Sequence, residues 1–402
     1  MYRRFEAKGE GGNMIEKKLL FRRGRRVNKP ALIAISMICT VVASCLIAAV
    51  SAGPPEKTPV IIGFKEKPDP DLIRTYGGEI KSVYTIIPAI AGRVPRSKVS
   101  KLAEEESVEY LEEDLVVRVL NATATWNINK VKAPEVWNTS VSGSGAIVAI
   151  LDTGVNYCLS DLDTNYLGGY DFYNNDTDPM DDYGHGTMCT AIAVAEGNSM
   201  YVGVAPGAYY YAVKAFNSVG LGRVSDIISG IEWATKGNDG IVATDDDADV
   251  ISMSFGLHTD LESVEDACDS AKAAGVTLVA GSGNDGDNFP LYPARYNSVI
   301  SVGATDIDGQ IPEWSNRKID LVAPGVDVPT LNMGGAVTSG HGTSMSCPHV
   351  SGAVALLVQQ NGGNIDPDHA RQIVKDGADD LGYNKPTQGS GLLNTLNNYN
   401  LL

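Results

Sequence analysis

Basic residues are scarce beyond residue 120 of this 402-residue chain. Residues 121–402 hold twelve Lys/Arg against 34 Asp/Glu, a net of −22, which repels phosphate backbones and excludes nucleic acid as a partner. Cysteine is scarce as well, with six in all and no CxxC pair. That excludes a disulfide-dense scaffold and the usual zinc spacings. Cys158, Cys189, Cys268 and Cys347 read as buried free thiols, with a single disulfide as the alternative. No repeat or low-complexity tract interrupts the chain, and long uncharged apolar runs are missing except for one.

That run covers residues 31–52 and follows Arg22, Arg23, Arg25, Arg26 and Lys29. A basic stretch, an apolar core and the small-residue ending Val50-Ser51-Ala52 form the pattern of an export signal cut after Ala52. Its 22 residues could also span a bilayer as a retained anchor, and Val42-Ala43-Ser44-Cys45 loosely matches a lipoprotein box. Either way the remainder is expected outside the cell, secreted or at its surface.

Two units follow. In residues 53–120 the pattern predicts a strand at 60–64, a helix at 69–76, a strand pair at 82–88 and 89–94, a helix at 97–106 and a strand at 108–112. This β-α-β-β-α-β order is ferredoxin-like. Residues 121–402 alternate near-continuous apolar runs (146–151, 209–215, 250–254, 276–280) with helical spacing at 224–236, 261–274 and 351–360. Such runs suit strands buried on both faces of a mostly parallel sheet flanked by helices, an α/β fold.

Three segments place reactive side chains beyond strand ends, where open parallel sheets build their sites. Ile150-Leu151-Asp152-Thr153-Gly154 ends a buried strand in a carboxylate. Taken alone it reads as a turn, and an aspartic protease would need a second Asp-Thr-Gly, which is absent. Asp182-Tyr183-Gly184-His185-Gly186-Thr187 puts a histidine, whose ordinary pKa suits proton exchange near neutrality, at a helix start. Gly340-His341-Gly342-Thr343-Ser344-Met345 puts Ser344 at the start of a further helix, where free N–H groups stabilise developing negative charge. A serine there is more often a cap, but the flanking motif reverses that reading. It is not the Gly-x-Ser-x-Gly of lipases and esterases.

In the order Asp152, His185, Ser344 these motifs resemble the subtilisin family of serine proteases over nearly all of residues 121–402. The resemblance implies a serine endopeptidase with Ser344 as nucleophile, His185 as proton acceptor and Asp152 orienting it. Val279-Ala280-Gly281-Ser282-Gly283-Asn284 matches the family's stretch ending in the oxyanion donor, which makes Asn284 that donor. Residues 219–222, with Gly220, Leu221 and Gly222, and residues 252–256, with Ser254, Phe255 and Gly256, match the two edges that pair with an extended peptide. Gly281, Ser282 and Gly283 would line the first specificity pocket with Asn284. The shortened stretch 285–292 implies a pocket floor unlike that of better-known relatives. Residues 53–120 resemble the family's inhibitor-like propeptide, chaperone and inhibitor to its own catalytic domain, with self-cleavage expected at Leu120–Asn121. Polypeptides are the implied substrates, and the competing reading is a catalytically inactive peptide-binding homologue.

Calcium is the implied structural ion. Asp239, Asp245, Asp246 and Asp247 lie in an acidic insertion that fits no EF-hand register, and Asp161 matches the aspartate of another family calcium site whose partner loop, residues 196–201, is shortened. His341 is expected on the cleft rim and His349 as structural. Cys189 and Cys347 are expected beneath the site, with sensitivity to mercurials.

Overall fold

The computed structural model describes residues 56–114 and 124–402, in two units lying within Met1–Val117 and Arg118–Leu402. The expected export segment or anchor and the Leu120–Asn121 bond lie outside the described residues. Among the described residues no helix is long and apolar enough to cross a membrane.

The first unit is a four-stranded antiparallel sheet of β1 (Lys57–Phe64), β2 (Glu79–Val83), β3 (Ala89–Pro95) and β4 (Val108–Glu113), in the order β2-β3-β1-β4. This is the ferredoxin-like order. The helix Pro70–Thr75 begins where the Asp69 carboxylate accepts from Asp71 N and Leu72 N, at 3.0 and 3.1 Å. Val60, Ile62, Ile73, Ile90 and Leu102 form its core. Two expected elements differ. The strand expected over 82–88 ends at Val83, and Ile86 is 94% exposed in the connecting loop. The helix expected over 97–106 is a 3₁₀ turn, Arg96–Lys98, followed by the short helix Val99–Ala103, because Glu104-Glu105-Glu106 offers no apolar face to continue it.

The second unit carries a seven-stranded parallel sheet ordered β11-β10-β9-β8-β5-β7-β6. Its strands are β5 (Ile147–Asp152), β6 (Tyr166–Asp171), β7 (Tyr209–Lys214), β8 (Val250–Met253), β9 (Thr277–Gly281), β10 (Val299–Thr305) and β11 (Leu321–Pro324). Helices cover both faces. Val148 and Ile150 pack with Ile192, Val350 and Val354, while Ala149 and Leu151 pack with Ile227, Ile231, Val264 and Cys268. Alternate residues of one strand therefore feed two separate cores, which is why β5 reads as an unbroken apolar run. Sequence periodicity missed β6, where Gly168 and Gly169 break the run, and β10, which carries Ser301 and Gly303.

Strand β5 pairs with β7 on one side and β8 on the other, so the chain's progress across the sheet reverses direction there. Such switch points leave a crevice beyond the strand's carboxyl end. Asp152 is the last residue of β5. A hairpin, β12 (Val328–Leu331) and β13 (Val337–Gly340), delivers the chain to the helix Thr343–Gln360.

Candidate active site

Asp152 is buried at 3% exposure, and His185 opens the helix His185–Val194. His185 Nδ1 lies 2.8 and 2.9 Å from the two Asp152 carboxylate oxygens. Thr153 joins the two segments. Its N–H donates to Asp152 Oδ1 at 2.7 Å, its hydroxyl donates to Asp181 Oδ1 at 2.9 Å and accepts from Gly186 N at 2.9 Å. Buried Asp181 also accepts from Tyr183 N, Gly184 N, Thr187 N and the Thr187 hydroxyl. A Cβ on Gly186 would fall 2.1 Å from the Gly154 carbonyl oxygen, so only glycine lets the histidine segment approach this closely. From the other side Lys214, 1% exposed, donates to Thr153 O, Asp182 Oδ1 and Phe216 O at 2.6, 2.7 and 2.8 Å. Sequence reasoning assigned no role to Thr153, Asp181 or Lys214, since each looks like an ordinary turn or strand residue until the strands pair.

Burial is the largest single influence and opposes a charge on His185, but the adjacent Asp152 carboxylate and Cys189 together outweigh it and raise the imidazole pKa well above its ordinary 6.5. Such a pair can take a proton from a hydroxyl and stabilise the resulting cation.

Ser344 is the second residue of its helix and partly exposed. Asn284 Oδ1 accepts from Thr343 N at 2.9 Å and the Thr343 hydroxyl at 3.1 Å, which fixes the amide. A Cβ on Gly342 (φ 123°) would fall 3.2 Å from both Asn284 Nδ2 and Ser344 Oγ, so those two polar atoms flank one small space. The Cys189 thiol connects the other side. It donates to Ser344 O at 3.4 Å and lies 3.9 Å from His185 Nδ1. The Ser254 hydroxyl donates to the same Ser344 carbonyl at 2.9 Å. Segments around residues 152, 185, 254, 284 and 344, remote in the chain, thus meet at one end of the sheet.

The model of the subtilase family matches residues 143–392. The chain belongs to the subtilase family. As a subtilase it is a serine endopeptidase. It is 40% identical to Subtilisin Savinase of Lederbergia lenta over 274 residues, covering 67% of this chain and 96% of that protein. It is 37% identical to an alkaline protease of Alkalihalobacillus alcalophilus over 321 residues, 79% of this chain and 80% of the other. Against Subtilisin E of Bacillus subtilis the identity is 33% over 345 residues, 82% and 88% of the two chains.

In this subtilase a cleft of about 220 Å³ is lined by Asp152, His185, Tyr183, Val219, Gly220, Ser254 and Phe255 among others. Val219 and Leu221 are 64% and 66% exposed on a loop shaped by Asn217, whose side-chain oxygen accepts from both of their N–H groups. Gly222 pairs back with Phe216, whose ring lies 5.1 Å from that of Phe255. Gly256 and Gly283 both pack on Leu291, and Gly281 on the Thr343 backbone. Ser282 departs from its expected place. It is fully buried, its N–H donates to Val302 O, and its carbonyl accepts from Leu291 N and Asn316 Nδ2, so it supports the pocket wall from behind. His341 is exposed with its ring 4.9 Å from that of Trp314. His349 is buried, its Nδ1 2.8 Å from Met345 O and its Nε2 2.9 Å from Asn127 Nδ2. The four described cysteines are free. Cys189, Cys268 and Cys347 are buried, whereas Cys158, expected buried, is exposed.

The residues assigned to calcium are differently placed. Asp161 is 2% exposed, and its carboxylate accepts from Ser199 N, Met200 N and Tyr201 N at 2.6, 2.8 and 3.3 Å. Three N–H groups aimed at the oxygens supply the neutralisation a cation would otherwise give, so this donor set does not suit calcium. Asp246 accepts from Asn238 N, Asp239 N and the Thr244 hydroxyl, and Asp247 from Ala243 N and Thr244 N. Asp239 accepts from Ile241 N, and Asp245 is exposed. Asp246 and Asp247 are thus satisfied by N–H donors much as Asp161 is. Among the described residues Asp239, Asp245, Asp246 and Asp247 do not bring three ligand oxygens together, so a calcium on this loop would have to displace those internal bonds.

Proposed function

We propose that this subtilase is an exported endopeptidase that cleaves extended polypeptides through an acyl-enzyme on Ser344. Ser344 Oγ attacks the scissile carbonyl carbon while His185 takes its proton and then returns it to the leaving amine. Asp152 keeps the imidazole in the right tautomer and stabilises its cation. Asn284 Nδ2 and the Ser344 backbone N–H donate to the oxyanion. Losing one such donor costs about 10²–10³-fold in kcat, a magnitude known from subtilisin itself. Residues 219–222 and 254–256 pair with the substrate backbone and tolerate varied sequences.

The observation that carries this reading is His185 Nδ1 within 2.9 Å of both oxygens of a buried carboxylate, at a cleft edged by Ser254. A serine-directed fluorophosphonate tests it. Ser344 should be labelled and the enzyme inactivated, and Ser344→Ala should abolish both labelling and peptide hydrolysis. An unlabelled Ser344 in a folded, mature chain would favour the inactive peptide-binding alternative.

The proposal extends to maturation. Residues 53–120 fold and inhibit the catalytic domain until the chain cuts itself at Leu120–Asn121, with Leu120 in the first pocket and Val117 in the fourth. Export through residues 1–52, by cleavage after Ala52 or as an anchor at the cell surface, is supported by the basic-then-apolar pattern. N-terminal sequencing of the mature enzyme checks the cut, and a start far from Asn121 overturns it. A structural calcium on the 238–249 loop completes the proposal, supported by the crowding of Asp239, Asp245, Asp246 and Asp247 into one short surface loop.

A further inference from the structure

Outside the catalytic group, an imidazole and two carboxylates converge at one spot on the surface. His258 Nε2 lies 4.0 Å from Asp285 Oδ2, and the ligand atoms of His258, Asp285 and Asp287 all lie within 4.8 Å of one another. Two chain segments carry them, and both are pinned. Leu257 and Tyr292 exchange backbone bonds at 2.7 and 2.9 Å, which fixes the residue before His258. Asp285 N and Asp287 N both donate to Oδ1 of fully buried Asn316, at 3.1 and 2.9 Å. Between them Gly286 N donates to Trp314 O at 2.8 Å, and Asp287 O accepts from Arg317 N at 2.8 Å.

The two carboxylates themselves are unspent. Asp161, Asp246 and Asp247 are occupied by N–H donors, whereas among the described residues neither the Asp285 nor the Asp287 side chain accepts a hydrogen bond. Nearby cations are engaged elsewhere. Arg295 lines a cavity of about 340 Å³ with His258 and Asp287, yet its guanidinium carbon stacks 4.4 Å from the Phe289 ring centroid, and Lys318 Nζ lies 3.7 Å from the same centroid. Like charges held this close repel unless a cation sits among them.

We propose that His258, Asp285 and Asp287 form a site for a divalent transition metal of the zinc class, with water completing its coordination. One imidazole nitrogen and two carboxylate oxygens suit zinc, copper or nickel, whereas calcium takes oxygen ligands and more of them. Ligands about 2.0–2.2 Å from a tetrahedral zinc stand about 3.4 Å apart, so the three must close by about 1 Å. Their exposure, 72% for the His258 side chain and 45% for Asp285, leaves room for that movement. Asp285 directly follows Asn284, and His258 lies two residues past Gly256. An ion here clips the Asn284 segment to the 254–256 edge of the cleft and stiffens both.

The test titrates Zn²⁺ by calorimetry into the matured enzyme, blocked at Ser344 with fluorophosphonate and kept in excess Ca²⁺. Saturable binding and a raised unfolding temperature are expected. His258→Gln and Asp287→Asn should each weaken binding by about 100-fold or more and erase the rise, since losing even an outer partner of a metal site costs about 10–100-fold. Asp285→Asn repeats the measurement on the third ligand if either of those variants folds poorly. Asp152, His185 and Cys189 form the other group of possible ligands among the described residues. Zn²⁺ binding that survives His258→Gln but disappears in Cys189→Ser belongs to the catalytic group and overturns the proposal. Absence of saturable Zn²⁺ binding to the parent overturns it too, leaving His258 and Asp285 as a surface ion pair.

Discussion

Pro348 lies four residues after Ser344 within one helix, so the N–H that would normally bond the Ser344 carbonyl does not exist. That carbonyl accepts instead from the Ser254 hydroxyl and the Cys189 thiol. The proline frees an acceptor that ties the Ser344 helix to the cleft edge and to the helix of His185. Ser254→Ala removes the stronger donor and leaves a buried acceptor half satisfied, at a cost of about 1–3 kcal/mol. We expect a lower melting temperature together with a several-fold drop in kcat, measured by calorimetry and steady-state kinetics. Unchanged kcat would show that this tether does not position Ser344.

The raised pKa of His185 fixes the direction of the pH profile. Only the neutral imidazole accepts a proton, so kcat/KM should fall on the acid side with a midpoint above pH 6.5. Stability runs the opposite way. A raised folded pKa contributes stability that is complete below the unfolded value and lost as pH climbs through the folded one. Asp152→Asn removes the carboxylate and should cut kcat about 10⁴-fold. A parent midpoint below pH 6 contradicts the assigned coupling.

His349 behaves differently. Burial pushes its pKa down to about 4, against the bond its ring makes to Met345 O. Stability should be complete above about pH 6.5 and fall as pH drops toward 4, by about 3 kcal/mol in all. Urea unfolding of the fluorophosphonate-blocked enzyme at several pH values reads this slope, and His349→Gln should flatten it. An unchanged slope in that variant removes His349 as its source.

Mercurials should react in two stages. Exposed Cys158 goes first without loss of activity, and buried Cys189, against both His185 and Ser344 O, goes slowly with inactivation. Cys189→Ser should resist inhibition. Burial also raises the Cys347 thiol to about 11, so it should lag further. Inactivation that tracks Cys158 contradicts this order.

Chelation separates the two calcium assignments. Stripping calcium should lower the unfolding temperature through the 238–249 loop, and Asp245→Asn should blunt that drop. Asp161→Asn should destabilise equally with and without chelator, since its partners are N–H groups. An unfolding temperature indifferent to chelation rejects structural calcium altogether.

The sequence alone determined the alternation of strand and helix in residues 121–402, because burial on both faces and helical spacing each leave a local pattern. It also determined the reactive residue types, since Gly-His-Gly-Thr and Gly-Thr-Ser-Met are contiguous. Strands β6 and β10 escaped, as glycine and serine break their apolar runs while pairing partners hold them in place. Only the tertiary structure decided what lies beneath and between these motifs. Lys214 looks like a strand residue until β5 and β7 pair, Asp161 looks like a calcium ligand until the short loop turns its N–H groups inward, and Leu291 looks like any loop leucine until two glycine segments close around it. Those outcomes depend on contacts between residues tens to hundreds apart, which no local pattern in the chain encodes.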